Sequence, residues 1–219
     1  LAAVARLCVS PAGEDGRFVR NPLVHAVVNF NFDVVFREYV RARYGRGLMR
    51  TVERPSAGTI PGRIPVYHMH GHLHFDAKRF HDLDEEAPDV RVFTEQEYFD
   101  FFNRPTSIYN YTFLHLLREF HCLFIGLSLK DDNIRRLLHY SRAERIESDI
   151  RAGRRPREAE ERSFRHFALH PRGRDPRTDE MTEKSLRRLG VQVVWLGGFD
   201  EIPDILDSLR APGAGGGVP

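Results

Sequence analysis

The sequence has little cysteine and no long apolar run. Its 219 residues include only two cysteines, Cys8 and Cys122. Two thiols so far apart exclude a disulfide framework, a Cys-x-x-Cys pair and a four-thiolate zinc site, and we expect both to be reduced. No apolar stretch approaches the roughly 18 residues that span a bilayer. The sequence therefore predicts a soluble globular protein with no membrane partner.

An excess of charge of one sign is also absent. The 33 Lys+Arg balance 31 Asp+Glu to a formal net charge of +2. The arginine-rich stretch 142–165 is evenly mixed with glutamate, which favours a solvated face or a protein interface over a nucleic-acid contact. We expect no nucleic-acid partner for this domain.

The N-terminus lacks a methionine and a signal-peptide pattern. The chain opens at Leu1, and we expect it to be part of a longer protein. Residues 1–210 are predicted to form one domain, followed by a flexible Gly/Pro tail at 211–219.

Short apolar segments alternate with segments of helical periodicity along most of the chain. The predicted strands are 23–32, 64–73, 122–129, 165–170 and 191–196. The predicted helices are 1–9, 34–44, 94–102, 108–119, 134–146, 179–189 and 200–210. Residues 10–22, 51–62 and 76–91 are expected to be loops or surface excursions. This alternation predicts an α/β, Rossmann-like fold with a parallel sheet covered by helices on both faces.

In such a fold ligands bind at the carboxyl ends of the strands, and the first candidate segment is NFNFD at 29–33. Asn31 and Asp33, two residues apart on an extended chain, project to the same side and can address one ligand together. The alternative is that they cap the helix that follows.

The second candidate is the histidine-rich segment 68–74, HMHGHLH. Alternate histidines can chelate zinc, but a third ligand is needed and we expect no metal site. Alternatively one imidazole acts as a general base, since its ordinary pKa of about 6.5 suits proton transfer at neutral pH. The glycine after His70 would let a ligand approach closely.

The third candidate is FIGLSLKDDN at 124–133, where a strand turns into a helix. Gly126 and Ser128 lie where backbone N–H groups and a hydroxyl can meet a phosphate or ribose at a helix N-terminus. The alternative is an ordinary strand-to-helix turn that Asp131 caps.

In order and spacing, these three segments resemble the signature segments of the sirtuin-like superfamily, and most closely the NAD-consuming sirtuin-like domains of bacterial anti-phage systems. The C-terminal segment GVQVVWLGGFDEIPDILDSL is also similar to theirs. The resemblance implies catalytic roles for three residues. Asn31 would hold water or a ribose hydroxyl, Asp33 with the Phe32 backbone would recognise the carboxamide, and His70 would be the general base.

The same resemblance implies that the turn after the third strand contacts the phosphates or ribose of NAD+. The residues concerned are Gly126, Leu127, Ser128 and Asp131.

The sequence departs from the family pattern at one segment. The glycine-rich phosphate loop has no match in residues 1–28, because Gly13 and Gly16 are not predicted to follow a strand. We expect either that the first strand-helix unit lies upstream of Leu1 or that this copy has lost its pyrophosphate site.

The resemblance implies an NAD+ glycohydrolase that releases nicotinamide and ADP-ribose in a bacterial cytoplasm, as the effector of an anti-phage protein. NAD+ would be its substrate, no zinc is expected, and a homo-oligomer or an assembly with other defence proteins would be its working form. One alternative is a non-catalytic scaffold or nucleotide-sensing module. A protein deacylase is disfavoured because the four-cysteine zinc module of that branch is missing. A histidine-rich metal hydrolase is the least favoured hypothesis.

Overall fold

A computed structural model of the protein describes residues 1–12, 16–52, 60–71 and 108–210. The chain divides into two compact units. Unit 1 comprises Leu1–Asn103 with Pro203–Pro219, and unit 2 comprises Arg104–Ile202. Each unit contains a three-stranded parallel sheet.

The parallel sheet of unit 1 has the strand order β3-β5-β4, and a two-stranded antiparallel hairpin, β1-β2, precedes it. In chain order the elements of unit 1 are α1 (Ala2–Cys8), β1 (Val9–Pro11), β2 (Phe18–Arg20), β3 (Val27–Asn29), α2 (Val35–Tyr44), β4 (Met49–Val52) and β5 (Ile64–His68). Parallel strands need a crossover connection, and α2 supplies the one between β3 and β4.

The core of unit 1 lies between its helices and its sheet. Its buried members are Ala5, Cys8, Val9, Val40, Leu48, Met49, Ile64 and Val66. Helix α2 ends at Gly45, whose φ of 120° is a conformation that side-chain-bearing residues rarely adopt. The chain can therefore turn directly into β4 after the helix.

Unit 2 has the strand order β6-β7-β8, all parallel. Its elements are α3 (Ile108–Glu119), β6 (Leu123–Ile125), α4 (Asp132–Arg151), α5 (Pro156–Arg162), β7 (His166–Pro171), α6 (Pro176–Arg187), β8 (Val191–Leu196) and a 3-10 turn (Phe199–Glu201). The last helix of the chain, α7 (Ile202–Ser208), begins at the final residue of this unit.

Helices α3 and α4 supply much of the apolar interior of unit 2. Phe113 and Leu117 on α3 are at most 2% exposed, and Leu138 on α4 is fully buried. Arg145 donates from Nη2 to the carbonyl of Leu117 at 2.9 Å. One arginine thus satisfies a C-terminal carbonyl of α3, which has no partner within its own helix.

The parallel sheets flanked by helices confirm the predicted fold class. The predicted strand 23–32 is shorter in the structure, because the Asn21 side-chain oxygen accepts from the N–H of Leu23 at 3.0 Å and holds a turn there. The arginine-rich stretch 142–165 is helical over most of its length, in α4 and α5.

Two predictions for unit 1 were wrong. The segments expected to be loops contain most of β1, all of β2 and part of β4. Gly16 therefore does follow a strand, but it leads into the antiparallel strand β2 and not into a helix. The hairpin is not the strand-to-helix turn of a phosphate loop. Strands of three or four residues beside Pro/Gly clusters show too little periodicity to be recognised.

Several predictions lie outside the described residues: the helix 94–102, the excursion 76–91, the tail 211–219, and the residues Gly13, His72 and His74. Within the described ranges, every helix is too short or too polar to cross a bilayer.

Candidate functional site

The carboxyl edge of the first sheet brings two of the predicted segments together. Asn29, the last residue of β3, is paired in register with His68, the last residue of β5. The N–H of Met69 donates to the carbonyl of Asn29 at 3.0 Å. The segments NFNFD and HMHG therefore leave the sheet side by side.

Asn29 organises the turn that carries the candidate residues. Its Nδ2 donates to the carbonyl of Asp33 at 3.0 Å, and its Oδ1 accepts from the N–H of Asn31 at 2.9 Å. One amide thereby closes the loop across residues 29–33. Sequence reasoning gave Asn29 no role of its own, although asparagine side chains often bond nearby backbone groups in turns.

The structure separates the environments of Asn31 and Asp33. The Oδ1 of Asp33 accepts from the N–H of Val35, the first residue of helix α2, at 3.1 Å. The N-cap itself is Val34, which has no side-chain cap, so Asp33 bonds the start of the helix from one position before the cap. The side chain of Asn31 is exposed and makes no hydrogen bond to another described residue. Asn31 is thus the more available of the two for a ligand.

His70 lies against the aromatic side chains of the neighbouring segment. Its ring centroid is 6.0 Å from that of Phe30 and 6.1 Å from that of Phe32. The residue is half-buried, and its Nδ1 is shielded from solvent. Phe30 is a neighbour that sequence reasoning did not select, although the alternation of Asn and Phe in NFNF was a usable signal.

The strand end beside His70 turns tightly. Gly71 has a φ of 82°, and its N–H donates to the carbonyl of His68 at 3.2 Å. A residue with a side chain would be strained there, which explains the glycine. His68 itself is only 3% exposed. In the described part of the chain no group of three or more His, Cys, Asp or Glu residues could hold a metal ion.

In unit 2 the third candidate segment forms the turn between β6 and α4. Gly126 has a φ of 69°, and the space that a Cβ would occupy there is open. Gly126 and Ser128 are exposed and Leu127 is half-buried. Asp131 is the N-cap of α4, because its Oδ1 accepts from the N–H of Ile134 at 2.9 Å. The predicted capping role of Asp131 is confirmed.

Both cysteines are free thiols. Burial raises the pKa of Cys8 to about 12 and that of Cys122 to about 11. Both thiols therefore stay protonated at neutral pH, and we expect neither to act as a thiolate nucleophile.

A groove of about 840 Å³ in unit 1 lies away from these residues. It opens beside the amino ends of β4 and β5, and its lining includes Phe18, Tyr44, Gly47 and Gly62. None of the residues that line it was predicted as a site residue. The candidate chemistry therefore lies at the opposite strand ends.

A Rossmann-type α/β fold with polar residues at the carboxyl ends of its parallel strands is typical of nucleotide-binding proteins. The SIR2-like domain family matches residues 25–194, and the chain belongs to this family. SIR2-like domains bind NAD+, and the family includes NAD-using enzymes. A search of the curated proteins found no match. The roles of the individual site residues stay predictions.

Proposed function

We propose that the protein hydrolyses the glycosidic bond of NAD+ and releases nicotinamide and ADP-ribose. The observation that supports this most directly is the packing of the His70 ring within 6.1 Å of both Phe30 and Phe32, the two residues that flank Asn31. The candidate base, His70, and the candidate polar residue, Asn31, thus lie at the same edge of the sheet. Family membership supplies NAD+ as the nucleotide.

The reaction needs few groups from the protein. When the bond between ribose C1′ and the pyridinium nitrogen breaks, its electron pair leaves with nicotinamide, which becomes neutral and needs no acid. The ribose becomes an oxocarbenium ion, and water adds to C1′ while losing a proton to a base. Orientation of the substrate and exclusion of bulk water supply the rest of the rate enhancement.

The residues of unit 1 carry the cleavage chemistry in this proposal. His70 takes the proton from the attacking water, and Asn31 holds that water or a ribose hydroxyl. Asp33, with the Phe32 backbone, recognises the carboxamide of nicotinamide. One oxygen of Asp33 already accepts from the backbone of α2, which fixes the carboxylate in place.

The turn of unit 2 carries the binding of phosphates or ribose. Its members are Gly126, Leu127, Ser128 and Asp131. The turn leads into α4, a helix of 20 residues whose N-terminal dipole favours an anion. NAD+ is the substrate in this proposal, and no zinc takes part.

By its resemblance to anti-phage proteins, we further propose that residues 1–210 form one effector domain that acts in the bacterial cytoplasm within a homo-oligomer or a larger assembly. A non-catalytic, nucleotide-sensing module is the second candidate. The absence of a glycine-rich phosphate loop from residues 1–28 favours that candidate. Calorimetric titration with NAD+ distinguishes these candidates from a scaffold without a nucleotide site. A sensor or an enzyme would bind NAD+, whereas such a scaffold would not.

The test is NAD+ cleavage by the protein and by Asn31→Ala. We expect a loss of at least about 100-fold in kcat, because the attacking group loses its orientation. The melting temperature should stay unchanged, since the Asn31 side chain is exposed and bonds no described residue. Unchanged cleavage by a folded Asn31→Ala variant would refute the proposal.

A further inference from the structure

We propose that Arg135 is a positioning residue for the β6–α4 turn, residues 126–131, and so for the binding of the phosphate-bearing part of the nucleotide. The inference rests on the proposed function, which gives this turn its ligand. Nothing in the sequence pattern singles out Arg135, one of several arginines on α4.

The turn contains a strained residue. Leu129 has a φ of 54°, and it is the one residue other than glycine with a positive φ in the described chain. This conformation is unfavourable for a residue with a side chain. Such strain persists only where the surroundings hold it, and it is concentrated at ligand-binding sites. The Leu129 side chain, 1% exposed, is one anchor of the turn.

Arg135 is the second anchor. Its Nη1 donates to the carbonyl of Leu129 at 3.2 Å, and its Nη2 donates to the hydroxyl of Ser185 on α6 at 3.0 Å. One guanidinium therefore ties the strained residue to a helix 50 positions further along the chain. Because its donors form a rigid planar fork, the two bonds fix each other's direction.

Fixing this carbonyl also fixes a donor. A trans peptide is planar, so the N–H of Lys130 points opposite to the carbonyl of Leu129. With that carbonyl held by Arg135, the N–H is directed away from the guanidinium. Backbone N–H groups held in this way before a helix are what a phosphate or ribose oxygen requires.

The same helix offers a matched control. Arg142, about two turns further along α4, donates to the hydroxyl of Ser163 at 3.0 Å and to the carbonyl of Arg188 at 3.1 Å. It too bridges one hydroxyl and one carbonyl, but it bonds no residue of the turn. Arg142→Gln therefore removes the same kinds of hydrogen bond, together with a cation–π contact 5.3 Å from the Phe164 ring centroid, without releasing Leu129.

The experiment compares Arg135→Gln with Arg142→Gln in two measurements: calorimetric titration with ADP-ribose, and hydrogen exchange of the amides at 127–131. For Arg135→Gln we expect Kd to rise about tenfold, the usual scale for losing one charge-assisted hydrogen bond, and the turn to exchange faster. Arg142→Gln should lower the melting temperature at least as much, since it also loses the contact with Phe164, and should change neither readout. Ser185→Ala, which removes only the far anchor, should give a smaller change in the same direction.

Equal loss of affinity in both arginine variants would show a merely structural role and overturn the proposal. Unchanged exchange of the turn in Arg135→Gln and Ser185→Ala would also overturn it. If the unmodified protein neither binds ADP-ribose nor cleaves NAD+, the proposed function fails, and exchange of the turn still decides whether Arg135 holds it.

Discussion

The two units hold their strand-end turns in different ways. In unit 1 the turn after β3 is closed by its own side chains, with Asn29 and Asp33 bonding backbone groups two to four positions away. In unit 2 the turn after β6 is capped locally by Asp131, and Arg135 also ties it to Ser185, 50 positions away. The first turn depends on local bonds, whereas the second depends on the packing of two helices.

This difference suits the chemistry proposed for each unit. A turn closed by local side chains keeps its shape with little help from the rest of the fold, and it carries the groups assigned to bond cleavage. The turn of unit 2 contains a strained backbone at Leu129, so it needs support from outside. Changes remote from unit 2's turn should therefore affect binding, while the turn of unit 1 should respond mainly to its own residues.

The largest expected effect separates the chemical role of an aspartate from its structural role. Asp33 and Asp175 each accept from the N–H two residues later, at 3.1 and 3.0 Å. Replacing either by alanine should cost about 1 kcal/mol of unfolding free energy, because each loses a hydrogen bond to the N-terminal N–H of a helix. Only Asp33→Ala should lose NAD+ cleavage, by about 100-fold, because it also loses substrate orientation. Cleavage rates and urea unfolding of both variants measure this.

An equal, small loss of activity in the Asp33→Ala and Asp175→Ala variants would mean that Asp33 acts only through its bond to the start of α2. The turn of unit 1 would then have no part in cleavage beyond its own stability.

The next effect is a pH dependence located in unit 2. Burial lowers the pKa of His166 to about 3, and its Nδ1 accepts from the N–H of Cys122 at 3.2 Å. The unfolded chain takes up a proton near pH 6.5 and the folded chain does not, so this contribution to stability is complete above pH 6.5 and is lost as the pH falls toward 3. The slope is about 1.4 kcal/mol per pH unit.

His166→Asn keeps an acceptor for the N–H of Cys122 but cannot be protonated. Urea unfolding between pH 7 and pH 4 should therefore show a shallower loss of stability in this variant than in the unmodified protein. Parallel curves for the two proteins would contradict a neutral, buried His166.

The smallest effect is expected for an arginine that bonds only an exposed carboxylate. Arg157 lies 3.2 Å from Glu161 on α5, and their side chains are 92% and 66% exposed. Solvent screens such pairs, so Arg157→Ala should change the free energy of unfolding by less than about 0.5 kcal/mol. A loss as large as that of Arg142→Gln would show that arginines stabilise unit 2 through charge and not through the carbonyls they bond.

Local patterns made part of this structure predictable. The parallel strand β8, helix α3 and the cap at Asp131 follow from runs of apolar residues, helical spacing and the preference of aspartate for N-caps. The placement of Asn31 and His70 at strand ends followed from the rule for ligand sites in parallel sheets.

Features set by tertiary contacts were not predictable. Strand β4 is short and precedes a Pro/Gly-bearing segment, so its parallel pairing with β5 leaves no periodic trace in the sequence. The positive φ of Leu129 and the bond from Arg135 to Ser185 both depend on residues far apart in the chain. The conformational preferences of neighbouring residues therefore predict neither feature.

The most direct test of NAD+ hydrolysis with His70 as general base is the release of nicotinamide from NAD+. It is measured for the protein, for His70→Ala and for His139→Ala. His139 is an exposed histidine of α4 that has no assigned role. We expect release by the protein and by His139→Ala, and a loss of at least about 100-fold in His70→Ala, the scale of a missing general base. Equal release by all three folded proteins would contradict it.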